Sequence, residues 1–242
     1  MSNIICLLGI IHVLGDFYFK SEKEEKIKYQ FINLLILLML STVFLTVFGF
    51  EINLLIVLVI NLLVHNFINI IKYGFKKKLD KSNQHEKLAY CLDQLLHIVT
   101  IFILAAIFKD KISFSSNWAT HTAKIQKFFP LMLAVLLNGK PANKTFKILF
   151  SNFKPKDEND NIDEQSVGRW IGTLERLIIM LLFIMGEIGS VALIIAAKTL
   201  TRYKKITDDV EFAEYYLLGT LYSLGYSFIV ALLLLRGVQI WI

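Results

Sequence analysis

Three otherwise apolar segments of this chain each carry two polar side chains four residues apart: His12 and Asp16, His65 and Asn69, and Asp93 and His97. A spacing of four puts both members of a pair on one helix face, one turn apart. Imidazole nitrogen and carboxylate oxygen suit zinc, iron, manganese and similar divalent ions. A metal held this way acidifies a bound water for hydrolysis. On that account His12, His65, Asp93 and His97 are ligands, and Asp16 is a ligand or general base. Without metal, the same groups could relay protons, because histidine titrates near neutrality. On a third account the pairs are interhelical hydrogen bonds that lock a bundle.

The surroundings make these residues costly. The chain has 242 residues, of which 55% are hydrophobic. Its mean hydropathy is +0.57, too apolar for one soluble domain. A bilayer core takes roughly 20 apolar residues per helix. The expected fold is an all-α, polytopic transmembrane bundle with spans near 3–19, 31–49, 52–71, 88–107, 128–138, 169–186, 188–200 and 212–235. The runs are continuously apolar, which excludes the alternating pattern of an outer-membrane barrel. The N-terminus lacks the basic stretch of a signal peptide, so the first run is expected to remain as a span. The run Gly186-Glu187-Ile188-Gly189 reads as a tight turn or helix break.

A net charge of +6 would suggest nucleic acid in a soluble protein, but no fold for that fits between the spans. Lysines gather instead in residues 20–30, 72–87, 139–168 and 198–210. The positive-inside rule makes these stretches cytoplasmic and both termini external. Cys6 and Cys91 lie in apolar segments and imply neither a disulfide framework nor a thiolate zinc site. The acidic run 156–166 reads as part of a cytoplasmic linker, 139–167, between a five-span block, 1–138, and a three-span block, 168–242.

This topology sets the polar pairs at comparable depths. At 1.5 Å per residue, His12, His65 and His97 lie about 12, about 10 and about 15 Å from Lys20, Lys72 and Lys87. Asp16, Asn69 and Asp93 lie about 6, about 5 and about 9 Å from the same lysines. Histidines thus form a deep layer and their partners a shallower one. The order reverses in the fourth segment, as an antiparallel helix requires. Glu175, about six residues into its segment, reaches a similar depth and is a further candidate catalytic carboxylate. Glu175 and the adjacent Arg176 point to different faces and are expected to pair with other helices. Lys198, Arg202 and Tyr203 are expected to meet Glu211, Glu214 and Tyr215 across a turn. Gly172, Gly186, Gly189, Gly219 and Gly225 suit close helix crossings, and Trp170 and Trp241 suit interfacial anchors. His85 and His121 read as solvated loop residues.

The segments His12-Val-Leu-Gly-Asp16-Phe, His65-Asn-Phe-Ile-Asn69-Ile-Ile-Lys72 and Leu92-Asp93-Gln94-Leu95-Leu96-His97 resemble the bacterial membrane family of unknown function 3307. The likeness extends through Gly139–Asn143, Gly168–Arg176, Ala197-Lys198 and Ala213–Thr220. It implies a multi-pass protein of the bacterial plasma membrane and brings no established activity. Two positions depart from the family's pattern. Asn69 stands where an Asp is usual, and Lys20 where a Gln is usual. An amide can accept a hydrogen bond but cannot titrate. The expected function is a metal-dependent membrane hydrolase acting on a lipid-linked or phosphate-bearing substrate. The alternatives are an ion- or proton-coupled transporter and a structural, partner-binding subunit. The implied cofactor is a divalent metal, and the implied partners are membrane lipids and a lipid-linked or small-molecule substrate.

Overall fold

A computed structural model describes residues 2–19, 27–48, 51–78, 83–112, 119–155 and 162–235. The described residues are helical throughout, with no strand among them. Helix α1 (Ser2–Val13) passes into a π-helical turn (Leu14–Tyr18), followed by α2 (Ile27–Phe48), α3 (Ile52–Lys78), α4 (Asn83–Phe108) and α5 (Ala119–Asn138). Then come α6 (Lys140–Leu149), a 3-10 turn (Ser151–Phe153), α7 (Ile162–Met185), α8 (Ile188–Thr201), α9 (Tyr203–Asp208) and α10 (Val210–Leu235). Every apolar run expected to span forms a helix. The acidic residues 156–161, and Trp241, lie outside the described residues, as do the side chains of 162–166 and His121.

Three helical stretches are long and apolar enough to cross a membrane: Ile52–Lys72, Gln84–Phe108 and Val210–Leu235. Asn3–Tyr18, Leu34–Leu45 and Ile188–Thr201 are apolar but shorter. So three of the described helices, rather than the expected eight, satisfy both tests. The expected spans 128–138 and 169–186 lie in helices that carry charge: α5 contains Lys124 and Lys127, and α7 contains Arg169, Glu175 and Arg176. These three stretches expose apolar side chains, among them Leu63, Phe67, Leu95, Phe102 and Leu233. Several buried positions are instead polar: His12, Asp16, Asn61, His65, Asp93 and His97. Apolar outer faces around a core that shelters a polar cluster are consistent with a lipid environment.

The chain divides into two compact units, Met1–Leu133 and Ala134–Ile242. In the first, α1 is the central element, and Ile4, Leu7, Leu8, Ile10 and Ile11 are all at most 2% exposed. It packs on α4 and α2, while α3 packs on α4. The π-helical turn closes with Phe19 N–H donating to the Leu14 carbonyl at 3.0 Å. Such a turn carries one residue more than an α-turn and occurs often at functional sites. Gly15 lies in it, where a Cβ would stand 2.5 Å from Leu37 Cδ2 and 3.3 Å from Cγ. That glycine lets α2 approach closely.

In the second unit α10 packs mainly on α7. Helix α7 ends in a Schellman motif, with Gly186 at φ +78°. Glu187 N–H donates to the Leu182 carbonyl at 2.9 Å, and Gly186 N–H to the Phe183 carbonyl at 3.2 Å. The expected break is therefore a helix C-cap. Gly189 and Gly225 have open space around them and are not crossing points among the described residues, while a Cβ at Gly172 would meet Arg176 Nη1 at 3.4 Å and Asn143 Oδ1 of α6 at 4.0 Å. Gly219, with Phe146 Cζ 3.4 Å from a Cβ placed there, is a close approach. Residues 140–149, at the start of the expected linker, form α6, which buries Pro141 and Ala142 and exposes Lys140, Lys144 and Lys147.

Overpacking of this kind costs about 1–3 kcal/mol. Gly15→Ala is expected to lower thermal stability in detergent by that amount. Gly15→Ala combined with Leu37→Ala should lose less than the sum of the two single changes. Strict additivity would show that the glycine does not serve the contact with α2.

Candidate metal centre

The centre is assembled from helices of the first unit. His12 comes from the last turn of α1, Asp16 from the π-helical turn, His65 from α3, and Asp93 and His97 from α4. All five are buried, between 3% and 6% exposed. The three imidazoles touch. Ring centroids of His12 and His97 are 4.5 Å apart, those of His65 and His97 4.5 Å, and those of His12 and His65 5.6 Å. The carboxylates sit against the rings. Asp16 Oδ1 is 3.3 Å from His65 Nε2, and Asp16 Oδ2 is 4.0 Å from His97 Nε2. Asp93 Oδ1 is 3.7 Å from the same His97 nitrogen.

Two sets of potential ligands share His97. His12, His65 and His97 each place a donor atom within 4.8 Å of the others, and so do Asp16, Asp93 and His97. The first set is all nitrogen. The second has two oxygens and one nitrogen. The structure brings the three histidines and both carboxylates together, with His97 common to the two sets, while Asn69, expected beside the carboxylates, belongs to neither.

Hydrogen bonding at the edge orients the groups. Gln94 Nε2 donates to Asp93 Oδ2 at 3.2 Å, which leaves Gln94 Oε1 to accept from His12 Nε2–H at 3.3 Å. That tautomer gives His12 Nδ1 a free lone pair, and the atom is buried with no hydrogen bond. His65 Nε2, His97 Nε2 and Asp93 Oδ1 are also buried without one. Buried polar atoms are nearly always paired. Here several unpaired ones are gathered in a single cluster.

Two members were missed in the sequence. Lys72, taken there as a loop charge marking the cytoplasmic surface, lies inside α3, and its Nζ donates to Asp93 Oδ2 at 2.5 Å. Its position seven residues after His65, on the same stripe, was the available signal. Gln94 adjoins Asp93 in sequence, and a search for four-residue spacings passes over neighbours. Asn69 is half-buried on α3. His85 is exposed, as expected. Cys6 is buried and Cys91 exposed, and neither forms a disulfide.

Glu175 belongs to the second unit. Its Oε2 accepts from Lys198 Nζ at 2.6 Å, while its Oε1 is buried without a hydrogen bond. Lys198 also stands over the Tyr216 ring, 5.4 Å from its centroid. The lysine therefore pairs with α7 rather than with Glu211 or Glu214. Arg202 and Lys205 instead lie over Phe212, at 5.9 and 4.4 Å.

Arg176, 3% exposed, faces the end of α5. Its Nε donates to the Asn138 carbonyl at 2.8 Å, and its Nη2 to Asn143 Oδ1 at 2.8 Å. Tyr226 and Tyr222 donate to the carbonyls of Leu137 and Ala142 at 3.1 and 3.0 Å. The bonds to Leu137 and Asn138 satisfy carbonyls that the end of α5 leaves without intrahelical partners, the bond to Ala142 ties α10 to the first turn of α6, and the guanidinium complements the negative end of the α5 dipole.

Residues 4–129 match the family described as a protein of unknown function (DUF3307). The match covers more than half of the chain, and the chain belongs to that family. All five residues of the cluster, with Lys72 and Gln94, lie inside the matched region. The resemblance noted beyond Gly139 lies outside it. No curated protein matches the chain, and no solved structure does.

The pair in the second unit yields an ordered expectation. Removing one partner of a buried ion pair costs about 3–5 kcal/mol when the other charge stays buried. Glu175 is the more buried partner, with a side chain 5% exposed against 24% for Lys198. Lys198→Met is therefore expected to destabilise more than Glu175→Gln, and the double variant less than Lys198→Met alone. Melting temperatures in detergent check the order.

Proposed function

We propose that the first unit is an intramembrane divalent-metal centre. His12, His65 and His97 are its ligands, with Asp16 and Asp93 completing or supporting the coordination. The observation that carries this reading is the convergence of three imidazoles and two carboxylates, with His12 Nδ1, His65 Nε2 and His97 Nε2 buried and not hydrogen-bonded. Pairs that served only as interhelical hydrogen bonds would align ring N–H groups with carboxylate oxygens. His97 Nε2 is instead 3.7 and 4.0 Å from the two nearest carboxylate oxygens. Three nitrogens suit zinc or another first-row divalent ion and leave a coordination position for water or substrate.

The activity that fits such a centre is metal-dependent hydrolysis of a lipid-linked or phosphate-bearing substrate. Asp16, next to the His65 and His97 nitrogens, serves as further ligand or general base. A crevice lined by Ile11, His12, Leu37, Ser41, Asn61 and His65 leads from α2 and α3 to the histidines. It is too narrow for a water-sized sphere, so substrate entry requires the helices to part. Glu175, held by Lys198, is a charge-paired residue of the second unit with a secondary claim to a catalytic role. The setting proposed is the bacterial plasma membrane, crossed eight times with both termini outside. Eight apolar runs in the sequence and the alternation of lysine-rich stretches between them support this.

A second reading, passage of protons or ions, is favoured by one observation. Asn61, His65, Asn69 and Lys72 lie along one stripe of α3, and Asn61 and His65 both line the crevice.

Elemental analysis of the purified protein is expected to give about one equivalent of transition metal per chain. His12→Ala and Asp93→Ala should each lose most of it. No metal in any preparation, with both variants abolishing a pH-dependent flux in vesicles, would transfer the site to the second reading. Variants that only melt earlier would make the cluster structural.

A further inference from the structure

The two ligand sets that share His97 are not equally available. Asp93 Oδ2 already holds a cation, the Lys72 ammonium at 2.5 Å. We propose that Lys72 is a tethered cation filling the carboxylate half of the centre, and that removing its charge opens that half to a divalent cation held by Asp93 and Asp16, with the His97 nitrogen as third ligand where the three-imidazole half leaves it free. This deepens the metal reading of the same cluster and rests on it for the site's purpose, though not for its chemistry.

Four observations carry it. Asp16, Asp93 and His97 bring one ligand atom each to within 4.8 Å of one another, a spread a single ion can bridge. Asp93 Oδ1 and His97 Nε2 are buried and not hydrogen-bonded, so the donors exist apart from the lysine's bond. Two carboxylates at 3% exposure need positive charge close by, because an uncompensated buried charge is strongly unfavourable. Of the charged members of the cluster, Lys72 is the accessible one: its side chain is 32% exposed, against 2% for that of Asp93.

The physical chemistry is competition. An ammonium and a divalent ion about 4 Å apart repel strongly in a medium of low dielectric. The oxygen-rich half therefore admits either Lys72 or an added ion. Lysine suits the part, as a compact point charge on a flexible stem that can lie along apolar surface and reach outward. Two oxygens and one nitrogen favour a harder ion than the three-imidazole half, and Mn²⁺ is the fitting probe.

The test is Mn²⁺ binding by the full-length protein in detergent, measured by calorimetry and by electron paramagnetic resonance. Lys72→Met is expected to bind about one more Mn²⁺ per chain than wild type, as a site with freed carboxylate and imidazole donors should. Lys72→Arg should bind no more than wild type, and Lys72→Met/Asp93→Asn should lose the gain. Mn²⁺ should also raise the melting temperature of Lys72→Met and leave that of the double variant unchanged. Equal Mn²⁺ binding by wild type and Lys72→Met overturns the proposal. So does a Lys72→Met protein that aggregates even with Mn²⁺ present, because the added ion is expected to replace the lost counter-charge. The outcomes also separate this proposal from the metal reading of the histidines. Wild type without metal, beside a gain in Lys72→Met, removes only the histidine site. Metal in wild type that is lost in His12→Ala, beside no gain in Lys72→Met, removes only the role of Lys72.

Discussion

Five ionisable side chains sit at 3–6% exposure among helices whose outer faces are apolar. Neither water nor lipid can satisfy them there, so they must be satisfied by one another or by a bound ion. The rest of the first unit follows from that constraint. Helix α1 is sealed on nearly every side so that His12 and Asp16 face inward. Helix α3 continues to Lys78, so that Lys72 can reach back to Asp93. Gln94 joins the Asp93 carboxylate to the His12 ring and so fixes which imidazole nitrogen carries the proton. Coulombic and hydrogen-bond energies decide the placement here, because apolar packing would be better served by leucine at every one of these positions.

The second unit meets a related demand differently. Among its buried polar groups are backbone carbonyls at the end of α5 and in the first turn of α6, and it meets them with one guanidinium and two phenols. Planar Arg176 can serve several acceptors at once, which an ammonium could not do in the same space. In the first unit, unsatisfied side-chain atoms face each other. In the second, donors from α7 and α10 cover the ends of helices. The first arrangement leaves bonding capacity for a ligand, and the second uses it for structure.

Much of this was legible in the sequence. Each of the eight apolar runs lies in a helix, whereas α6 and α9, which carry little apolar sequence, had no such signal. The four-residue spacing found His12, Asp16, His65, Asp93 and His97, because helical periodicity alone determines which residues share a face. Lysine position was a poorer guide. Lys72 was placed in a loop because it begins a basic stretch, yet a long stem lets a lysine near a helix end serve a buried carboxylate. The glycines misled for a comparable reason. Composition cannot distinguish Gly15, against which α2 packs, from Gly225, which has open space around it. Crossing the membrane needs both length and sustained apolarity, and Arg169, Glu175 and Arg176 in α7 break the second condition.

The π-helical turn at Leu14–Tyr18 gives the polar motif of α1 a further meaning. A turn that holds one extra residue changes the angular phase of everything beyond it. Asp16 lies in that widened turn, with its carboxylate oxygens 3.3 and 4.0 Å from the His65 and His97 nitrogens. What the sequence preserves between His12 and Asp16 is therefore a count as much as a set of residue types. A one-residue deletion in that stretch would keep the helix apolar and keep both polar side chains. It would also turn one of them out of the cluster, leaving an apolar chain with its chemistry out of phase.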